Sequence, residues 1–227
     1  VMELRSMQQN ILVIGGTSGL GLELARNLKP IHTVIVTGRV DPKEAGVQFL
    51  RLDLSNAQQL NSTIDDFIAT LPHVDCLIFA AGFFQEGRVS DLGDEDIDKM
   101  ITVGLVAPTK LVQRLLKKQN RLSGFVAITS TSQWTPRLLE PVYTAVKSGL
   151  GMLANSLSLD ENIGKVMVAA PAGMKTKFWD GQNRDLSEML DPQWVAEQII
   201  CAYQDEFKYK FVRIMRGPAR TEVLERR

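Results

Sequence analysis

Little in this chain of 227 residues points to disulfides, metals or membranes. Its two cysteines, Cys76 and Cys201, lie far apart without metal-type spacing, so buried free thiols in a reducing compartment are expected. The two histidines, His32 and His73, each sit beside an apolar run with no second ligand nearby. Both are expected to be structural or exposed, and no metal site is expected. Neither sign of charge prevails: 26 basic and 26 acidic residues cancel, which argues weakly against a nucleic-acid surface. No apolar run approaches a membrane span, and "VMELRSMQQN" (1–10) has no apolar signal core. A soluble, cytoplasmic protein with no nucleic-acid or membrane partner is the expectation. No linker rich in Pro, Gly or Ser divides the chain, so one domain over residues 1–227 is expected.

What is present is a full complement of core residues, 44% hydrophobic against 23% charged. Apolar bursts of strand length occur at 10–14, 32–37, 47–52, 75–80, 124–129, 165–170 and 210–215. Helix-like stretches at 19–29, 56–70, 94–119, 141–159 and 192–206 separate them, with start signals at Ser55 or Asn56 and at Asp191-Pro192. Strand and helix in alternation read as an α/β fold. A doubly wound parallel sheet of about seven strands, with helices on both faces, is expected, because parallel neighbours need a crossover.

The first strand runs into "IGGTSGLG" (14–21), and a helical pattern starts at its end. Spaced glycines let a backbone approach a pyrophosphate, and the free amides and positive dipole end of the next helix favour the anion. No Gly-Lys-Ser/Thr follows, which disfavours a P-loop. The second strand ends "VTGR". An acidic residue near there would take the adenosine ribose hydroxyls of NAD; Arg39 would instead pair with a 2′-phosphate. NADP(H) is therefore favoured, with Asp41 a possible partner for NAD.

Much later comes "PVYTAVK" (141–147), with Tyr143 and Lys147 four residues apart and so on one face of a helix. The glycine loop and this pair, in this order, resemble the short-chain dehydrogenase/reductase family in its compact single-domain branch, over nearly the whole chain. The family pattern TGxxxGxG is similar to "IGGTSGLG", with Ile14 for the threonine; YxxxK is "YTAVK"; PGxVxT resembles "PAGMKT". The resemblance implies a Rossmann-type fold and a nicotinamide cofactor. It places Gly15, Thr17, Ser18, Gly19, Leu20 and Gly21 at the phosphates and Asp53 and Leu54 at the adenine. Ala80, Ala81 and Gly82 would line the ribose side, and Pro171, Met174 and Thr176 the nicotinamide end. Lys147 would bond the nicotinamide ribose. Tyr143 would exchange a proton with the substrate oxygen, and Ser130, thirteen residues earlier, would hold that oxygen.

A lysine cation would also favour the phenolate and lower the acidity barrier of Tyr143. Two positions depart from the family. "FAAG" (79–82) replaces NNAG, and Gly104 stands where an asparagine usually helps hold a water linked to the lysine. Gly104 leaves two readings open, room for an extra water or weakened catalysis. The expected activity is hydride transfer between NADP(H) and a carbonyl or alcohol. The alternative is a cofactor-binding sensor or scaffold with little turnover. A nucleotide-sugar epimerase relative is disfavoured, since only short segments follow position 176. Substrate contacts are expected from 83–88, 133–140 and 177–190, with Phe83, Phe84, Trp134, Phe178 and Trp179 forming an apolar pocket. The resemblance also implies a homodimer or homotetramer.

Overall fold

Strands that are apolar at every position need cover on both faces, and "ILVI", "VIV" and "CLIF" are of this kind. The computed structural model describes residues 8–180 and 185–227 and builds them into one eight-stranded sheet. Its strands are β1 (Asn10–Ile14), β2 (Thr33–Gly38), β3 (Gln48–Arg51), β4 (Cys76–Phe79), β5 (Leu122–Ile128), β6 (Ile163–Pro171), β7 (Tyr209–Met215) and β8 (Arg220–Arg226). The order is β3-β2-β1-β4-β5-β6-β7-β8, parallel except for the antiparallel β7–β8 pair. The chain winds outward in one direction from β1 and in the other from β4, so a crevice opens beyond the ends of these two neighbours. This is a Rossmann-type fold.

The helices are α1 (Gly19–Leu28), α2 (Leu60–Thr70), α3 (Asp94–Ile101), α4 (Ala107–Gln119), α5 (Pro141–Leu157) and α6 (Pro192–Tyr203). They divide the core in two. Leu12 and Ile14 of β1 face a cluster that includes Ile64, Leu111 and Leu150 of α2, α4 and α5; Ile11 and Val13 face Leu24, Val195 and Ile199 of α1 and α6. Period-two alternation along one strand thus fills both layers.

Four local expectations are corrected. The eighth strand, "RTEVLER", carries charges at most positions and no apolar burst. It forms as a hairpin edge on β7, where polar residues are tolerated and guard against further pairing. The second helix starts at Leu60, not near residue 56. Asn56 instead closes a turn by accepting from the amides of Gln58 and Gln59, both at 3.1 Å, and Ser55 bonds back to Asp53. Asp191 does cap α6, accepting from the Gln193 amide at 2.7 Å. The long helix at 94–119 is interrupted by a π-turn, Thr102–Val106, in which the Ala107 amide bonds the Thr102 carbonyl. Pro108 accounts for it: proline has no amide to offer the Gly104 carbonyl, and its ring would strike that oxygen. Finally, Cys201 is exposed, whereas Cys76 is buried under a Tyr203 hydroxyl at 3.8 Å, and burial pushes its thiol up to about 12.

The histidines are structural or exposed. His32 Nδ1 accepts from the Gln9 amide at 3.3 Å, and His73 lies 3.4 Å from Asp75. Among the described residues no group of three His, Cys, Asp or Glu could hold a metal, and no helix is long and apolar enough to cross a membrane.

Candidate active site

A cleft of about 490 Å³ opens at the strand ends, and the glycine loop, Arg39, Asp53, Leu54, residues 80–82, Ser130, Tyr143, Lys147, Pro171, Met174 and Thr176 all line it. At one end the turn after β1 is closed by contacts that admit no side chain. A Cβ on Gly15 would meet the Ala81 amide nitrogen at 2.6 Å, and one on Gly21 would meet the Gly15 carbonyl oxygen at 2.2 Å. Gly15 and Gly19 also take positive φ, 79° and 52°, which glycine adopts without strain. Ser18 sits at the cap position of α1 in extended conformation, yet no side chain caps the helix and its first turn holds no acid. The first amides of α1 are thus left for an external acceptor, and the site fits an anion such as pyrophosphate.

Thr17 packs its hydroxyl against Gly38, where a Cβ would come within 2.2 Å, and so fixes the end of β2 next to the loop. Arg39 follows directly and lines the cleft. Asp41 does not line it; its carboxylate is spent on the Lys43 amide at 2.8 Å and the Lys43 ammonium at 3.0 Å. Asp53 faces the cleft with its carboxylate fixed by Ser55, at 3.0 Å from the amide and 2.7 Å from the hydroxyl. These bonds, aided by Arg39 and Lys99, hold its pKa below the usual carboxylate value. Ala80 continues β4 beside the loop, its amide on the Ile14 carbonyl at 2.9 Å. Thr176 lies against Gly19, with 3.4 Å from its methyl to an ideal Cβ there, and opens a short 3₁₀ turn by accepting from the Phe178 amide.

At the other end stand Ser130, Tyr143 and Lys147. Ser130 ends β5 and accepts from the Ser132 amide at 3.1 Å, which turns its hydroxyl to Tyr143, with which it hydrogen-bonds. Pro141 opens α5, so Tyr143 falls in its first turn and Lys147 one turn on. Lys147 is buried, 5% exposed; its Nζ donates to the Ile128 carbonyl at 3.0 Å and lies 5.6 Å from the centre of the Tyr143 ring. Burial lowers its pKa to about 8.

The expected acidification of Tyr143 is not met. Burial raises the phenol well above its ordinary value, the Ser130 hydrogen bond opposes this, the Glu140 charge adds to it and Arg137 offsets part. Lys147 is not among the charges that move it.

At Gly104 a Cβ would lie 2.3 Å from Cγ1 of Val146, the neighbour of Lys147 in sequence, so the glycine lets the two helices approach closely. The small residues of α5 likewise serve packing within the chain, Gly149 against Leu105 and Gly151 against Gln133.

Aromatic side chains gather on the substrate side. Phe84 meets the Tyr143 ring edge-on at 5.0 Å and stacks on Phe178 at 5.6 Å; Phe178 meets Trp179 at 5.1 Å. Phe83, Phe178 and Trp179 line the cleft, with Phe84 buried behind them. Trp134, just past the 3₁₀ turn at Thr131–Gln133, does not join them; it packs on Phe211 of β7 at 5.8 Å. Residues 181–184 of the anticipated substrate segment lie outside the described residues. Sequence reasoning missed Lys99 and Arg216, and it covered Arg137, Glu140 and Lys177 only as members of the segments 133–140 and 177–190; all five line the cleft. Position just past a strand end was the available signal for Arg216 and, less directly, for Arg137.

Fold and site together define an α/β oxidoreductase built around a nucleotide-type cleft. The family model described as short chain dehydrogenase matches residues 9–187, and the chain belongs to that family. It is 25% identical over 206 residues to the short chain dehydrogenase helC of Aspergillus fumigatus, covering 82% of this chain and 80% of that one. Among solved structures it is similar to a short-chain dehydrogenase from Sphingobium yanoikuyae in complex with NADPH, with TM-score 0.75, 22% identity and coverage of 86% and 84%. It is also similar to an alcohol dehydrogenase from Thermococcus sibiricus complexed with 5-hydroxy-NADP, with TM-score 0.78, 20% identity and coverage of 93% and 97%.

Proposed function

We propose that this protein is an NADP(H)-dependent oxidoreductase that works on a carbonyl/alcohol pair, with carbonyl reduction the favoured direction. The observation that carries the reading is the convergence of Ser130, Tyr143 and Lys147 at one end of a cleft whose other end is the glycine turn. A bound reduced nicotinamide supplies the hydride pair to the carbonyl carbon and leaves oxidised. Gly15, Thr17, Ser18, Gly19, Leu20 and Gly21 hold its phosphates, Asp53 and Leu54 the adenine, and Thr176 the carboxamide. Arg39 takes the 2′-phosphate, since Asp41 is turned away into its own loop. Lys147 would bond the nicotinamide ribose.

Ser130 orients the carbonyl oxygen, and Tyr143 gives that oxygen its proton as negative charge develops there. The alcohol is the product. Burial raises the pKa of the phenol, which favours its role as proton donor over that of base.

Fluorescence titration with NADPH and NADH, followed by NADPH consumption against a panel of carbonyl compounds, tests the reading. NADPH is expected to bind at least about tenfold more tightly than NADH, with the difference lost in Arg39→Ala. Tighter NADH binding that ignores Arg39→Ala overturns the cofactor choice. Binding without turnover, unchanged in Tyr143→Phe, makes the protein a cofactor-dependent sensor or scaffold instead. We further propose a single catalytic domain acting in the cytoplasm as a homodimer or homotetramer. Exposed Met152 on α5, at 63%, supports an interface there, and light scattering reads the state.

A further inference from the structure

We propose that the substrate carries an anionic group, a carboxylate or a phosphate, which Arg137 receives in the cleft beside Tyr143. The proposal rests on the carbonyl-reduction reading and names its substrate class. Arg137 lies in the segment between β5 and α5 and lines the cleft together with Ser130 and Tyr143. Its Nε faces Oε2 of Glu140 at 3.5 Å, and Glu140 is only 6% exposed. The same oxygen accepts from the Ser132 hydroxyl at 3.1 Å. A buried carboxylate, fixed by a second donor, thus holds one edge of the guanidinium.

The terminal amino groups of Arg137 make no hydrogen bond among the described residues. A guanidinium that meets Glu140 through Nε and leaves its terminal amino groups over matches the paired oxygens of a carboxylate or phosphate. Arg137 lines the same cleft as Tyr143, whose phenol its charge makes easier to ionise.

The charge around it is complementary to an anion. Apart from Arg39 and Lys147, which the cofactor takes, and Lys99, which acts with Arg39 on Asp53, the described lining cations Arg137, Lys177 and Arg216 face one remaining carboxylate, Glu140. That excess belongs to a chain whose formal charge is zero. Lys177 and Arg216 follow β6 and β7, on the substrate side of Ser130, and form no ion pair among the described residues. Phe178 and Trp179 give the same end an apolar wall, so an oxo acid with a ring or alkyl body suits the site.

Tryptophan fluorescence quenching by phenylglyoxylate and 4-oxo-4-phenylbutanoate, each against its methyl ester and with NADP⁺ present, tests the site without turnover. At least one acid is expected to bind about tenfold or more tightly than its ester. In R137Q the preference is expected to fall to about onefold, and in R137K, which keeps the charge but not the fork, to lie between. A thermal melt of each variant confirms that it is folded. Equal affinity for acid and ester, a preference that survives R137Q, or no binding of either acid overturns the proposal. The two readings fail separately. Arg137-dependent acid binding with no NADPH consumed sinks hydride transfer and keeps the anion site; equal kcat/KM for acids and esters does the reverse.

Discussion

Two lysines are buried among the described residues, and they sit at opposite ends of the sheet. Lys210 lies near the start of β7, away from the cleft, with no exposure at all. Its Nζ meets Asp205 at 2.5 Å and the Ala202 carbonyl at 2.6 Å and lies over the Phe207 ring at 4.6 Å. Lys147, under the cleft, has one carbonyl and an aromatic face and no carboxylate partner. Burial without a counter-charge lowers its pKa to about 8, while burial beside a carboxylate is an ordinary structural solution. The difference separates a charge kept for packing from one kept for chemistry.

The largest expected effect breaks that comparison by function. Tyr143→Phe and Lys147→Met are each expected to lower kcat about 10²–10⁴-fold, whereas Lys210→Met leaves it within about twofold. Steady-state NADPH oxidation reads this; equal damage from both lysine changes would dissolve the distinction.

A second test sharpens it by pH. The folded pKa of Lys147 is depressed, so between about pH 8 and 10.5 the unfolded chain holds more protons than the folded one, and stability rises with pH. Relative to Lys147→Met, the native protein is expected to gain up to about 3 kcal/mol across that window in urea unfolding. The raised Tyr143 phenol works in the opposite sense above pH 10, where the unfolded chain releases its proton first. A flat difference between pH 7 and 10 would mean that Lys147 keeps its charge when buried.

The wall around Lys147 gives a smaller effect. Gly104→Asn is expected to cost about 1–3 kcal/mol, because the new side chain runs into Val146. The double change with Val146→Ala should recover part of this, and full additivity in a double-mutant cycle would show that the two positions do not touch. Smallest of all, Lys210→Met is expected to stay within about 1 kcal/mol of the native protein, since an apolar chain can replace a buried ion. Asp205→Asn, which strands the ammonium, should lower Tm further than Lys210→Met does.

These contrasts also show what was legible in advance. Tyr143 and Lys147 could be read as one unit because a helix brings residues four apart together whatever surrounds it. The glycine turn was legible for a similar reason: Gly15 and Gly21 answer to backbone clashes within a few residues or across one strand pair. Seven strands announced themselves as apolar bursts in the sequence. The eighth did not, because a charged edge strand looks like a loop until β7 pairs with it.

The clustering of Arg137 with Glu140 and Ser132 depends on how the segment after β5 folds back over α5. The direction of the Tyr143 shift depends on what buries it, and no spacing in the chain carries that information.

Sequence by itself determined the alternation of elements, the phosphate-type turn and the helical Tyr–Lys pair, all products of short-range sterics and periodicity. Tertiary structure alone decided that Val146 packs beside Gly104, that Trp134 leaves the pocket and Arg137 enters it, and that burial raises the pKa of the phenol. Those outcomes are set by contacts between residues distant in the chain and by the local dielectric that close packing creates.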